Sequence, residues 1–193
     1  MNENDTRCEL LVLGLGNVLC GDDGAGAFAV HALDKRYLTP AGARVVDVGT
    51  LGLALLPLLM DARRVLIVDA VRDPNATPGS IVRFEGDDVG PAARERLSCH
   101  QIGVADLLDG ASLLGQLPDT LVLLGIAAED LSLRVGLSSH VRAGMTALID
   151  RVIAESKALG FEFVPRPQDE DEPRESSKID DFARLHLRLR VPA

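Results

Sequence analysis

The sequence predicts one α/β domain in three layers, with a mainly parallel, twisted sheet sandwiched between helices. Three observations carry this expectation. Short, nearly continuous apolar runs recur along the chain, as in strands covered on both faces. Segments with apolar residues at helical spacing alternate with them, the order expected of right-handed βαβ crossovers. Acidic residues or glycines follow the strands, where doubly wound sheets carry their sites.

Residues 10–15 (LLVLGL) form the first apolar run and end at a glycine-bearing turn. A helix is expected over residues 24–37, with Gly26, Val30, Leu33 and Tyr37 on one stripe. Residues 44–48 (RVVDV) read as the second strand and residues 51–60 as a short helix. Residues 65–68 (VLIV) form a third buried strand, bounded by Asp69. Pro78-Gly79 marks a turn before a short strand at residues 80–84. Helices over residues 87–97 and 101–114 flank Ser98-Cys99-His100, and residues 120–126 (TLVLLGI) supply the next buried strand. Residues 138–159 form a long amphipathic helix with Val141, Met145, Leu148 and Val152 on its apolar face, and residues 161–164 suit an edge strand. Composition changes after Pro165. Residues 168–181 are charged and read as a solvated linker. The alternating stretch 182–191 suits an added strand, a docking segment or a mobile tail.

A length of 193 residues suits a single domain, and an apolar content of 47% supplies a sizeable core without tryptophan. Twenty basic against 29 acidic residues leave a formal charge of −9, which disfavours phosphate backbones and hence nucleic acid. Cys8, Cys20 and Cys99 make an odd count without CxxC spacing, which fits a reducing compartment better than a disulfide framework or a thiolate zinc site. The N-terminus is polar and acidic, unlike a signal peptide, and the apolar stretch 51–60 is too short to span a bilayer. A cytoplasmic, monomeric protein away from the membrane is expected.

Asp22 and Asp23 follow the first strand, Asp47 lies late in the second, Asp69 ends the third, and Glu129 follows the fourth. Carboxylates gathered on one rim repel one another unless a cation or shared proton sits among them, so the rim is a candidate for metal binding or acid/base chemistry. Each has a plainer alternative. Asp22 and Asp23 stand where a helix N-cap is expected. Asp47 fits a bond to Thr50 or backbone amides of its turn, and Glu129 a cap or a solvent-facing position. Asp69 serves equally as a functional carboxylate or a turn former. Among four histidines, His100 lies in a loop near the rim, whereas His31 is mid-helix, His140 begins the last helix and His186 belongs to the tail. Beside two carboxylates, His100 would complete an N/O/O set suited to nickel or zinc. Gly14-Leu15-Gly16 opens a GxGxxG pattern, but Leu19 occupies the third glycine position, which breaks the dinucleotide fingerprint. P-loop, HExxH and GxSxG motifs are absent from the sequence.

The run Gly14-Leu15-Gly16-Asn17-Val18-Leu19-Cys20-Gly21-Asp22-Asp23-Gly24-Ala25-Gly26 resembles the opening GxGN…D[DE]GxG motif of the hydrogenase maturation endopeptidases. Three further segments resemble that family's motifs in order. They are Asp47-Val48-Gly49-Thr50-Leu51-Gly52, Val65-Leu66-Ile67-Val68-Asp69-Ala70-Val71 and Ser98-Cys99-His100-Gln101-Ile102-Gly103. Together the four segments are specific where each alone is weak. The resemblance implies residues 1–8 as an N-terminal extension, 9–165 as the protease domain with a phosphorylase/hydrolase-like sheet, and 166–193 as a charged tail. It also implies removal of a C-terminal peptide from the large-subunit precursor of a [NiFe] hydrogenase after nickel insertion. Asp23, Asp69 and His100 would engage the nickel, with no tightly bound cofactor of the chain's own. Asp23 and Asp69 are the catalytic candidates, without assigned roles, and Asp23 or Asp47 is a candidate general base. The Asp47 turn also resembles the DTG turn of aspartic proteases. Cys99 and Ala128 stand where the family pattern has proline. The competing expectations are a non-proteolytic nickel-binding or assembly chaperone for the same precursor, and a small nucleotide-binding module.

Overall fold

The structure is a computed structural model, and it describes residues 7–96 and 103–167. Cys99, His100, the helix start predicted at Gln101, the last position of the helix predicted over 87–97, and the alternating stretch 182–191 lie outside the described residues.

Five strands form the main sheet in the order β3-β1-β4-β6-β5. They are β1 (Cys8–Leu15), β3 (Ala43–Gly49), β4 (Ala62–Val71), β5 (Ile81–Glu85) and β6 (Thr120–Ala127). A separate two-stranded pair joins β2 (Tyr37–Leu38) to β7 (Val164–Pro165). Strands β3, β1, β4 and β6 run parallel, while β5 lies antiparallel on β6 at the edge. The helices are α1 (Ala25–Arg36), α2 (Leu56–Met60), α3 (Val89–Arg96), α4 (Val104–Leu113) and α5 (Ser139–Ala158).

Alternate strand residues face opposite sides of a sheet, and both sides here are apolar. Leu10, Val12, Leu66, Val68, Val122 and Leu124 pack with Phe28 and Leu33 of α1 and Val141 and Leu148 of α5. Their neighbours Leu11, Leu13, Val65, Ile67 and Leu123 pack with Leu59 of α2, Ala92 of α3 and Leu107 and Leu108 of α4. This is the predicted three-layer arrangement in a single domain, and it explains why the central strands read as unbroken apolar runs.

Several element boundaries differ from the sequence expectation for local physical reasons. Strand β4 extends well beyond residues 65–68, because β6 pairs with it as far as Val71↔Ala127. Asp69 therefore lies inside a strand, opposite Gly125, and not at its end. At the other end Arg63 and Arg64 form ion pairs with Glu9, which lets a charged segment start a central strand. The helix predicted over 51–60 divides into a 3-10 turn, Gly52–Leu55, and the short α2. Pro57, lacking an N–H, sits in the first turn of α2, where no donor is required. The edge strand predicted at 161–164 becomes β7 and stays apart from the main sheet. Gly160 turns the chain back with φ of 94° after α5, and the Arg166 N–H donates to the Arg36 carbonyl at 2.8 Å.

Candidate active site at the carboxyl edge

Because β1 and β4 are parallel neighbours with Gly14 opposite Val68, the turn after β1 and the acid of β4 meet at one edge. The turn is closed by its glycines. Gly16 has φ of 117°, and a Cβ there would fall 1.6 Å from the Asp23 carbonyl oxygen. A Cβ on Gly14 would meet the Gly26 carbonyl oxygen at 2.4 Å. The glycines thus serve close backbone approach of α1 to the strands, which explains a Gly-rich turn without a dinucleotide fingerprint.

A 3-10 turn over Gly21–Gly24 precedes α1 and carries Asp22 and Asp23 into the interior. Gly24 occupies the N-cap of α1, so neither acid caps that helix. Asp23 and Asp69 are each only 2% exposed. The Asn17 N–H donates to Asp23 Oδ2 at 2.7 Å, and the Ala70 N–H donates to Asp69 Oδ1 at 2.7 Å. Burial pushes the Asp69 carboxyl well above the usual carboxylate range, and the neighbouring charge of Asp23 pushes the same way, against the smaller effect of the Ala70 N–H. The two acids are therefore a buried, electrostatically coupled pair, the arrangement that favours a shared proton or a cation.

The remaining rim acids are turned to other partners. Asp22 is wholly buried and accepts three backbone N–H groups from the segment after β6. Glu129 and Asp130 donate to Oδ2 at 2.8 and 2.9 Å, and Ser138 donates to Oδ1 at 2.6 Å. Its predicted role as a helix cap is replaced by this longer-range one. Asp22→Ala would strip buried N–H groups of a charged acceptor, and a loss of roughly 2–3 kcal/mol is expected, with faster proteolysis of residues 129–138 as the local readout. Asp47 is exposed and accepts the Gly49 N–H at 3.1 Å, the turn bond expected of it. Glu129 Oε2 lies 2.9 Å from His140 Nδ1, and that hydrogen bond holds the Glu129 carboxyl below its ordinary value.

Of the sequence candidates, the structure brings Asp23 and Asp69 together in the interior, leaves Asp47 exposed on β3 opposite Gly14, and has His100 outside the described residues. Among the described residues, no three His, Cys, Asp or Glu side chains gather as a metal-binding group. Sequence reasoning misses two contributors. Asn17 shapes the turn, its side-chain oxygen accepting the Leu19 N–H at 3.0 Å while its own N–H holds Asp23; an asparagine after Gly-Leu-Gly is the local signal. The Glu129–His140 contact joins residues 11 apart across a helix start and has no comparable signature.

A doubly wound α/β domain with paired buried carboxylates, one in the turn after β1 and one inside β4, has the build of an enzyme whose site lies toward the carboxyl edge of its sheet. The model of a family described as hydrogenase maturation protease matches residues 28–155. The chain belongs to that family, and its general activity is that of a peptidase. It is 32% identical over 157 residues to the hydrogenase 2 maturation protease of Escherichia coli strain K12, covering 81% of this chain and 96% of that one. It is also 38% identical over 159 residues to the hydrogenase expression/formation protein HupD of Rhodobacter capsulatus, covering 79% and 73% respectively. Among solved structures, the hydrogenase maturating endopeptidase HybD from E. coli superposes with a TM-score of 0.77 at 32% identity, over 82% of this chain and 98% of that one. No helix among the described residues is long and apolar enough to cross a membrane.

Proposed function

We propose that this chain is the endopeptidase that removes a C-terminal peptide from the nickel-loaded large-subunit precursor of a [NiFe] hydrogenase. Asp23, Asp69 and His100 engage the nickel that the precursor carries. The observation behind this reading is the buried Asp23–Asp69 pair, in which burial and mutual repulsion oppose a second negative charge. A divalent ion removes that opposition by displacing the proton, so a precursor carrying the ion docks where an unloaded one does not. The imidazole of His100 adds a nitrogen donor, and a three-ligand set leaves positions open for the precursor's own groups. The chain works as a monomer in the cytoplasm, a setting compatible with the free thiols of Cys8 and Cys20.

The test is to mix the purified chain with nickel-loaded and nickel-free precursor and follow precursor mass. Cleavage of the loaded form only is expected, while equal cleavage of both overturns nickel recognition. Stable association without any mass change would make the chain an assembly chaperone.

A further inference from the structure

The turn that carries Asp23 has little to hold it from within. It is a four-residue 3-10 turn, Gly21–Gly24, without a side-chain cap, and so short a piece gains nothing from helical cooperativity. Its conformation is imposed from outside, by the segment after β6. The Gly21 N–H donates to the Arg134 carbonyl at 2.8 Å, and the Asp22 N–H donates to the Asp130 carbonyl at 2.9 Å. The Arg134 N–H donates back to the Leu19 carbonyl at 2.9 Å. Gly21, with φ of 58°, permits this approach, since a Cβ there would lie 2.5 Å from the Asp130 carbonyl oxygen. The Asp22 carboxylate completes the junction by accepting the Glu129, Asp130 and Ser138 N–H groups.

Asp22 has no exposed surface, so it does not touch a docked precursor, and any effect it has on cleavage passes through another residue. That residue is its neighbour. Rotation of the turn carries Asp23 Oδ2 off the Asn17 N–H, which holds it at 2.7 Å, and away from Asp69, its electrostatic partner. A misplacement of about 1 Å caused by a change remote from the chemistry can cost on the order of 100-fold in rate. Resting on the precursor-processing reading of the site, we propose that Asp22 is a positioning residue for Asp23. By clamping the segment 129–138, its carboxylate fixes the turn and sets where Asp23 stands in the acid pair.

Asp22→Asn, in the full chain, tests this. The amide keeps one acceptor oxygen but turns an NH2 group toward backbone donors that need the other, so the clamp weakens at nearly constant volume. Val152→Ala is the control for lost stability, a truncation in the core well along α5 from Ser138. All forms are compared below their unfolding midpoints. One readout is the amide proton resonance of Asn17, which reports its bond to Asp23; the other is kcat/KM on nickel-loaded precursor. In Asp22→Asn the resonance is expected to move upfield and kcat/KM to fall at least about tenfold, the scale of a lost outer-shell partner. Val152→Ala leaves both near the wild-type level. An unmoved resonance overturns the proposal, as does wild-type kcat/KM in Asp22→Asn or an equal loss in Val152→Ala. Hydrogen exchange of the wild type decides the matter even if Asp22→Asn does not fold. The amides of Asn17, Glu129, Asp130 and Ser138 should open as one unit, and an Asn17 amide that opens while the other three stay protected overturns the clamp. If the wild type does not cut precursor, the processing reading fails, yet the Asn17 resonance and exchange still decide the positioning role.

Discussion

Asp69→Asn is expected to lower precursor cleavage by more than about a hundredfold if Asp69 holds the precursor's nickel as proposed, since disturbing even an outer-shell partner of a metal ligand commonly costs 10–100-fold. The same substitution is expected to make the folded chain more stable at neutral pH. The folded-state carboxyl of Asp69 sits well above its unfolded value of about 3.9, because burial and the charge of Asp23 favour the proton. Between those two values the folded state holds a proton that the unfolded state has released. Stability contributed by this group is therefore full at low pH, falls as pH rises toward the raised folded value, and is flat above it. An amide has no charge to desolvate. It removes that slope and adds roughly 1 kcal/mol at neutral pH, a gain typical of relieving a strained functional site, or a midpoint higher by about 2–4 °C. Denaturation curves across pH for both forms, with cleavage assays alongside, check the pair of outcomes. Full cleavage with an unchanged pH profile of stability would remove Asp69 from the site. On the proposed nickel-docking role, wild-type cleavage should also weaken as pH falls through the Asp69 value, since a proton and the precursor's nickel would compete for one carboxylate.

Gly26→Ala is expected to cost about 3 kcal/mol or more, equivalent to a midpoint lower by about 6–12 °C. A Cβ at this position would lie 2.2 Å from the Val68 carbonyl oxygen and 2.4 Å from that of Leu15. Both obstacles are backbone of the central strands, Val68 paired on either side and Leu15 paired to β3, so the helix must move instead. Moving α1 drags the Asp23 turn away from Asp69, and cleavage should fall with stability. Gly103→Ala provides the comparison, because nothing lies within 4 Å of a Cβ there. Chemical denaturation of the two variants separates a packing collision from a general intolerance of lost glycine.

The central strands are legible in the sequence because helices cover both faces of the sheet, so residues such as Leu11 and Val12 point to different cores and are both apolar. The meeting of Asp23 with Asp69 is legible for a related reason. Parallel strands end at a common edge, and acids near those ends converge even though they are far apart in the chain. Strand length is less legible, since pairing to β6 carries β4 past its apolar run and takes Asp69 inside it. The role of Asp22 is not legible locally at all. It looks like a helix cap, whereas its acceptors' partners lie 107, 108 and 116 residues further on. The antiparallel placement of β5 depends on a loop reversal with no apolar period of its own.

Those separations also bear on how the molecule is made. Contacts distant in sequence form late, after the cost of closing the intervening chain has been met. Ribosomal synthesis delivers Asp22 long before Ser138, and at about 5–20 residues per second the interval is several seconds or more. During that time β1 and α1 exist without the partners that fix their connecting turn. A nascent chain therefore carries its acids without the scaffold that aligns them, and proteolytic competence waits for nearly the whole domain to emerge.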